Sequence, residues 1–281
     1  MKDVWTITRQ DLEESPYLRK VDIVDGLEDV WDHFARTTAD LIKRNNGAGK
    51  PTLVILPVGP FDYRRLAELC NREGIQLDGL FTINMDEYCN ETGDDWIPIS
   101  HPLSFRGHME KNFFSLLDGR LGFGKDNALF PHPGCPESVQ NRIKKLGGVD
   151  VCFAGFGING HVAFNEPPEP HDEYSADQFA ALPTRVVDLT RETITQNAIL
   201  SAGGDLGLVP RKAITIGMAE IMESKVFHGY VMRDWHRMVI RRCLFGPKTP
   251  GCPGSIVLQT HPHCRLTMPS FVADLPSAGL L

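Results

Sequence analysis

The chain has 281 residues, of which 42% are apolar and 23% charged, so it is long enough to bury one large α/β core. Its formal net charge of −7, with no basic cluster in the sequence, argues against nucleic-acid binding. No apolar run approaches the roughly 20 residues that span a bilayer, and the first residues lack the apolar core of a signal peptide. The seven cysteines form no CxxC pair, which favours a reducing, cytoplasmic setting.

Strand and helix patterns alternate along most of the chain. Residues 1–25 show no clear period, so we interpret them as an N-terminal extension packed on the main body. Amphipathic spacing and capping residues predict helices at 25–45, 62–73 (with Asp62 as the N-cap), 103–117, 136–146, 218–222 and 234–244. Apolar runs predict strands at 52–58, 80–85, 149–155, 213–216, 225–232, 255–259 and 265–268. This alternation predicts one α/β domain over residues 1–281, three-layered and Rossmann-like, with a mostly parallel sheet and helices on both faces.

A glycine-rich segment follows the strand predicted at 149–155. Gly155, Gly157 and Gly160 allow the backbone to approach a ligand closely. His161 comes next, and Glu166 lies five residues further on. Histidine exchanges protons near neutral pH, and a nearby carboxylate orients the ring and raises its basicity. A long polar segment at 167–183 is typical of a loop that covers a site.

Two carboxylates, Asp86 and Glu87, end the strand predicted at 80–85. Taken alone, Asp86 has an ordinary structural interpretation as a strand-end residue that caps the next turn. However, ligands of open α/β sheets bind at the carboxyl ends of the strands. An imidazole and carboxylates at that edge together predict proton transfer on a small polar molecule.

Several motifs in the same order resemble the glucosamine-6-phosphate deaminase family, which is related in fold to the 6-phosphogluconolactonases. The motifs are Asn-Met-Asp-Glu-Tyr at 84–88, His-Pro-Leu-Ser-Phe at 101–105, Asn-Phe-Phe at 112–114 and the glycine-rich run at 155–167. The ending Phe-Asn-Glu-Pro at 164–167 favours the deaminase branch. The resemblance implies an enzyme of amino-sugar metabolism that converts a 2-amino-2-deoxy aldose to a ketose plus ammonia, without a cofactor.

The resemblance also implies a role for individual residues. His161 would protonate the ring oxygen, Glu166 would orient the imidazole, and Asp86 would move the proton from C2 to C1. Partial burial and the neighbouring Glu87 would raise the pKa of Asp86. The catalytic residues are then Asp86, Asn159, His161 and Glu166, and the expected substrate-binding residues are Gly59, Asp62, Glu87, Gly157, Gly160, Arg185 and His236.

Three departures from the family pattern concern charge. Asn159 replaces an Asp, so the ion pair to His161 must come from Glu166. The phosphate-binding turn reads Val-Gly-Pro-Phe-Asp at 58–62, in which Pro60 offers no N–H and Asp62 adds negative charge. Two like charges about 4 Å apart repel by roughly 4 kcal/mol at an effective dielectric of 20.

Two basic residues of the family's phosphate pocket are also missing. Ile199 stands near the expected Arg and His236 near the expected Lys, and the nearby arginines that compensate would be Arg185, Arg233 and Arg237. We therefore hypothesise that the ligand lacks a 6-phosphate and that Asp62 accepts hydrogen bonds from sugar hydroxyls.

Alternatives to a deaminase stay open from the sequence. One is a sugar lactone hydrolase in which His161 activates water, and the other is a sugar-binding protein without catalysis. A metal at His-Pro-His-Cys, residues 261–264, is disfavoured because no second ligand cluster lies nearby in the sequence. The expected partner is a small sugar, and the family resemblance adds the expectation of a homo-oligomer.

Overall fold

The apolar runs build a seven-stranded parallel sheet in the computed structural model, which describes residues 3–59, 61–169 and 171–278. Its strands are β1 (Leu18–Val24), β2 (Thr52–Leu56), β3 (Leu80–Asn84), β5 (Ala128–Leu129), β6 (Val151–Ala154), β9 (Phe227–Tyr230) and β10 (Cys264–Pro269). An antiparallel sheet contains β4 (Asp86–Tyr88), β7 (Arg185–Asp188) and β8 (Lys212–Thr215). The sequence did not predict this second sheet.

Helices connect the strands and cover the parallel sheet. Those of the described ranges are α1 (Arg9–Glu13), α2 (Leu27–Gly47), α3 (Tyr63–Glu73), α4 (Phe105–Asn112), α5 (Ser138–Leu146), α6 (Ala176–Ala180), α7 (Arg191–Ser201), α8 (Met218–Met222), α9 (His236–Phe245), α10 (Pro253–Thr260) and α11 (Ser270–Ala273). Short 3-10 turns occur at Val4–Thr6, Phe114–Leu116, Gly119–Leu121 and Lys125–Asn127.

The parallel strands run in the order β1-β10-β9-β6-β2-β3-β5. The side chains of β2 alternate between two hydrophobic cores, with Leu53 and Ile55 in one and Val54 and Leu56 in the other. Helices α9 and α10 pack in the first core, and α2 and α3 pack in the second. Each such buried aliphatic side chain stabilises the fold by roughly 1.5–3 kcal/mol. The predicted three-layer α/β architecture with helices on both faces is confirmed.

Two local predictions need correction. The N-terminal segment is more than an extension packed on the main body, because β1 pairs in parallel with β10 and forms the edge of the sheet. The strand predicted at 255–259 is wrong, because these residues lie in α10. Periodicity cannot separate a short apolar run in a strand from one in a buried helix. Pro253 at the first helical position was the signal that favoured a helix.

Candidate active site

A cavity of about 360 Å³ opens at the carboxyl edge of the parallel sheet. Ligands of open α/β sheets bind beyond this edge, and the volume lies in the usual range for small-molecule sites. The segments that follow β2 and β6, the start of β4, helix α7 and the start of α9 line it. The lining residues that matter below are Gly59, Asp86, Gly157, His161, Gln196, Asn197, Leu200, Arg233 and His236.

The glycines of the turn after β6 make room for the histidine ring. A Cβ on Gly157 would lie 2.0 Å from Cε1 of His161, so no other residue fits there without moving the ring. Gly160 has a φ of +87°, a conformation that side chains rarely adopt. Gly157 lines the cavity as predicted, whereas Gly160 is not among the lining residues and has a structural role.

His161 is buried, and three oxygen atoms surround its Nδ1. Asn159 Oδ1 lies at 2.8 Å, Thr193 Oγ1 at 3.1 Å and Glu166 Oε2 at 3.2 Å. The opposite nitrogen, Nε2, makes no hydrogen bond to any part of the chain that the structure describes. This arrangement fixes the ring through Nδ1 and leaves Nε2 to exchange a proton.

Glu166 and Asn159 lie behind the imidazole and are not among the cavity-lining residues. The Asn159 amide bridges them, since Nδ2 donates to Glu166 Oε2 at 2.9 Å while Oδ1 contacts the ring. Burial opposes ionisation of Glu166, but the charge of His161 and hydrogen bonds from His161, Thr193 and Asn159 outweigh it and lower its pKa to about 2. A permanent carboxylate therefore faces His161.

Asp86 lies at the start of β4 and lines the same cavity as His161. Its side chain is 6% exposed, and within the described ranges its carboxylate accepts no hydrogen bond. Burial, and then the neighbouring charge of Glu87, raise the pKa of Asp86 well above its usual range. A desolvated carboxylate without hydrogen bonds is a stronger base than one in water.

Glu87 is wrongly predicted as a substrate-binding residue. Successive side chains of a strand point to opposite faces, so Glu87 turns away from the cavity that Asp86 faces. Its carboxylate accepts hydrogen bonds from Ser104 Oγ at 2.9 Å, Phe105 N at 3.0 Å and Arg106 N at 2.8 Å. Glu87 thus satisfies the first N–H groups of α4.

Asp62 is likewise wrongly predicted to bind the sugar. It caps α3 as expected, but it is absent from the cavity lining, and its carboxylate pairs with Arg64 at 3.0 Å and Arg65 at 3.7 Å. The expected repulsion of a phosphate is reduced because these two arginines neutralise Asp62. Gly59 does line the cavity, while Pro60, to which we assigned a missing N–H, lies outside the described residues.

His236 and Arg233 also line the cavity. His236 accepts at Nδ1 from Met232 N and Arg233 N, and its Nε2 donates to Phe156 O at 3.0 Å. Burial lowers its pKa to about 4, so the ring is neutral and cannot replace a lysine. Arg233 is half-buried and forms no ion pair within the described ranges.

The other two arginines expected to compensate lie elsewhere. Arg185, predicted as a substrate-binding residue, is not among the cavity-lining residues, and its Nη1 donates to Asn165 Oδ1 at 2.8 Å. Arg237 pairs with Asp234 at 2.9 Å. Ile199 is 69% exposed and borders a second, largely apolar depression, which shares Leu200 and Trp235 with the cavity lining.

Helix α7 forms part of the cavity wall, and the sequence did not predict it. It supplies Gln196, Asn197, Leu200 and Ser201 to the cavity wall, and Asn197 Nδ2 donates to Tyr88 OH at 2.8 Å. The available signal was an N-capping threonine at 190 followed by buried residues at helical spacing. By contrast, the polar segment predicted to cover the site, of which 167–169 and 171–183 are described, contributes no lining residue.

The residues His-Pro-His-Cys at 261–264, considered above as a metal site, make hydrogen bonds within the chain. His261 is buried, its Nε2 donates to Ser224 O at 2.9 Å and its Nδ1 accepts from His263 N at 3.2 Å. Within the described ranges, no group of three or more histidine, cysteine, aspartate or glutamate side chains is placed to hold a metal ion. No helix in the same ranges is long and apolar enough to cross a membrane.

The fold and the cavity define an α/β protein with acid–base groups facing one small-molecule site. An oriented imidazole and a buried carboxylate meet at the edge of the sheet where such enzymes bind their substrates.

Comparison with known proteins gives the family. No family profile matches the chain. It is 34% identical to glucosamine-6-phosphate deaminase 1 of Giardia intestinalis over 206 residues, which cover 72% of this chain and 71% of the relative. It is 31% identical to the glucosamine-6-phosphate deaminase of Clostridium perfringens over 266 residues, 90% of this chain and 98% of the relative. The chain belongs to the glucosamine-6-phosphate deaminase family of enzymes.

Solved structures agree with the fold. A monomeric glucosamine-6-phosphate deaminase superposes with a TM-score of 0.76 at 24% identity, over 92% of this chain and all of that one. A 6-phosphogluconolactonase from Shewanella baltica superposes with a TM-score of 0.60 at 18% identity, over 89% and 97%. The predicted relation in fold to both groups of proteins is confirmed.

Proposed function

We propose that this chain is an amino-sugar deaminase and isomerase that converts a 2-amino-2-deoxy aldose and water to a ketose and ammonia. One observation carries the proposal: Asp86 and His161 line the same cavity, each in a state suited to proton transfer. The names of the relatives support the same chemistry. A pure sugar-binding protein would have less need of a buried carboxylate without hydrogen bonds.

His161 opens the sugar ring in this proposal. Its Nε2 donates a proton to the ring oxygen while a water accepts the proton of the C1 hydroxyl, which yields the open-chain aldehyde. That water returns the proton to the C1 oxygen when the enolamine forms. Glu166 stabilises the protonated imidazole, and Asn159 and Thr193 hold its orientation through Nδ1.

Asp86 then removes the proton from C2 and returns it to C1, through an enolamine. Water adds to the resulting C2 imine and ammonia leaves, so one water is consumed for each ammonia released. The raised pKa of Asp86 suits this step, because a base whose pKa lies nearer the working pH is more effective. Residues of this chain alone perform these steps, and the proposal includes no cofactor.

We further propose that the sugar does not need a 6-phosphate. Ile199 and the neutral His236 occupy the positions where the family resemblance implies cations. Among the described residues that line the cavity, Arg233 is the side chain with a permanent positive charge, so it is the expected contact for a phosphate when the substrate carries one. Asp62 does not contribute, because its carboxylate is paired with Arg64 outside the cavity.

Ammonia release from glucosamine and from glucosamine 6-phosphate tests both proposals. We expect turnover of both sugars, and we expect Arg233→Ala to raise KM about tenfold for the phosphorylated sugar only, as loss of roughly 1.4 kcal/mol of binding requires. Turnover of glucosamine 6-phosphate alone would contradict the relaxed requirement. Hydrolysis of a sugar lactone without ammonia release from either sugar would favour the lactonase alternative.

The domain organisation, the cellular compartment and the oligomeric state are proposed as follows. We propose that the whole chain acts as one domain, since segments from Gly59 to His236 line one cavity. A reducing compartment such as the cytoplasm is supported by the seven cysteines, which are all free thiols. Assembly into a homo-oligomer stays a prediction.

A further inference from the structure

We infer that Cys243 and Cys252 form an oxidation site: a hydroperoxide converts this thiol pair to a disulfide, and the change displaces His161. The formation of the disulfide stands on the structure alone. Its effect on turnover rests on the function proposed above, in which His161 handles a proton.

The two thiols are already in contact. Cys243 lies in α9 and Cys252 directly precedes α10, and their sulfur atoms are 3.5 Å apart within hydrogen-bonding distance. Both side chains are buried, Cys243 completely and Cys252 with 6% exposed. An S–S bond measures about 2.05 Å, so oxidation requires the sulfurs to approach by about 1.5 Å.

Cys252 is the thiol that is prepared to react. The hydrogen bond with Cys243 lowers the pKa of Cys252 to about 7, and the charge of Arg242 acts in the same direction against burial. The same contact and then burial raise the pKa of Cys243. Burial raises the pKa of Cys70 and Cys264 to about 12, so these thiols stay protonated at neutral pH. The thiolate is the reactive form of cysteine, so the pair contains one nucleophile and one resolving thiol.

The chemistry balances with a hydroperoxide as the oxidant. The Cys252 thiolate attacks the peroxide oxygen, the O–O bond breaks, and the leaving oxygen takes a proton to form water or an alcohol. Cys252 is then a sulfenic acid. The Cys243 sulfur attacks it and loses its proton, the S–O bond breaks, and water leaves. Two thiols are oxidised by two electrons while the peroxide is reduced.

The pair packs directly against the backbone that carries His161. A Cβ on Gly160 would lie 2.6 Å from the Cys252 sulfur and 3.6 Å from the Cys243 sulfur. The Gly160 carbonyl accepts from Gly254 N at 2.7 Å, which joins the start of α10 to the glycine-rich turn. Because there is no free space at Gly160, closure of the S–S bond moves the turn, and His161 is the next residue.

Titration of the full chain with hydrogen peroxide, followed by peptide mapping, tests the site without a substrate. We expect the 243–252 disulfide to form in preference to oxidation of the exposed Cys135, and to be reversed by dithiothreitol. Cys252→Ser should abolish it, Cys243→Ser should leave a sulfenic acid that dimedone traps at Cys252, and Cys135→Ser should change neither result. Oxidation at Cys135 with both buried thiols intact would overturn the assignment.

Turnover of whichever amino sugar the enzyme accepts tests the link to His161. We expect the disulfide form to lose at least tenfold in kcat and to regain it on reduction, while peroxide-treated Cys252→Ser keeps its activity. A fully formed disulfide with unchanged kcat would overturn the displacement of His161. If the protein turns over no amino sugar, peptide mapping still decides the oxidation site, so the two failures are distinguishable.

Discussion

Two groups of residues at the cavity differ in how much of the family pattern they keep. Asp86 and His161 line the cavity and Glu166 contacts the His161 ring, although Asn159 replaces a charged residue. Where the family resemblance implies cations, a neutral His236 lines the cavity and the exposed Ile199 borders the second depression. We therefore propose that proton transfer at the reacting carbons is kept while recognition of a phosphate has changed.

The largest effect should come from Asp86→Asn. An amide cannot take the C2 proton, so we expect kcat to fall by roughly 10²- to 10⁴-fold, the contribution usual for general acid–base catalysis. Steady-state ammonia release measures it. A kcat within threefold of wild type would show that Asp86 is not the base that removes the C2 proton.

The same variant should be more stable than wild type. The pKa of Asp86 is raised in the folded state, so the native protein holds more protons between the unfolded and folded pKa values, and stability falls as pH rises through that window. Asp86→Asn removes this loss, so we expect a gain in the free energy of unfolding that is larger at pH 8 than at pH 5. Urea unfolding at pH 5 and pH 8 measures the gain. The exposed Asp177→Asn is the control and should show none.

The next largest effect is expected for Glu166→Gln. The amide cannot stabilise the protonated His161, and Asn159 cannot supply the missing charge, so kcat should fall on the order of 100-fold with KM little changed. The alkaline limb of the pH–kcat profile should move to lower pH, because the imidazolium that donates the proton loses its ion pair. An unshifted limb would contradict the ion pair.

A gain in affinity for the phosphorylated sugar is expected for Ile199→Arg. This substitution places a cation at the second depression, at the position that the family resemblance implies, and we expect KM for glucosamine 6-phosphate to fall about tenfold. The KM for glucosamine should stay constant. Ile199→Gln, similar in length but uncharged, is the matched control, and an equal effect of both variants would exclude charge as the cause.

The smallest effect should follow Thr193→Val, which removes one of the three oxygen atoms around Nδ1 of His161. A single hydrogen bond contributes about 0.5–1.5 kcal/mol, so we expect kcat to fall two- to tenfold. Thr193→Ser keeps the hydroxyl and should restore the wild-type rate. Equal losses in both variants would indicate a packing effect instead of orientation of the ring.

Much of the fold was predictable because buried parallel strands read as apolar runs between amphipathic helices. The strand β7 was missed because its residues alternate between half-buried and exposed and include Arg185 and Asp188. The strand β1 was missed because it lies at an edge and five of its seven residues are half-buried. Edge strands carry a weaker apolar signal than central ones, and only tertiary pairing identifies them.

The site was predictable where a motif fixed both the residue and its direction. Asp86 and His161 both line one cavity, but assigning Glu87 to the same ligand ignored the alternation of strand side chains. Asp62 was correctly predicted as a helix cap, and that role already engages its carboxylate. The contribution of α7 depends on contacts between segments far apart in the sequence, which local patterns do not contain.

The most direct measurement follows deuterium placed at C2 of the amino sugar. During turnover by the wild-type enzyme, the label should leave C2 and appear at C1 of the ketose or in the solvent, as NMR can record, while Asp86→Asn should leave it in place. Loss of the label from C2 at the wild-type rate in Asp86→Asn would contradict proton abstraction by Asp86, whichever amino sugar is the substrate.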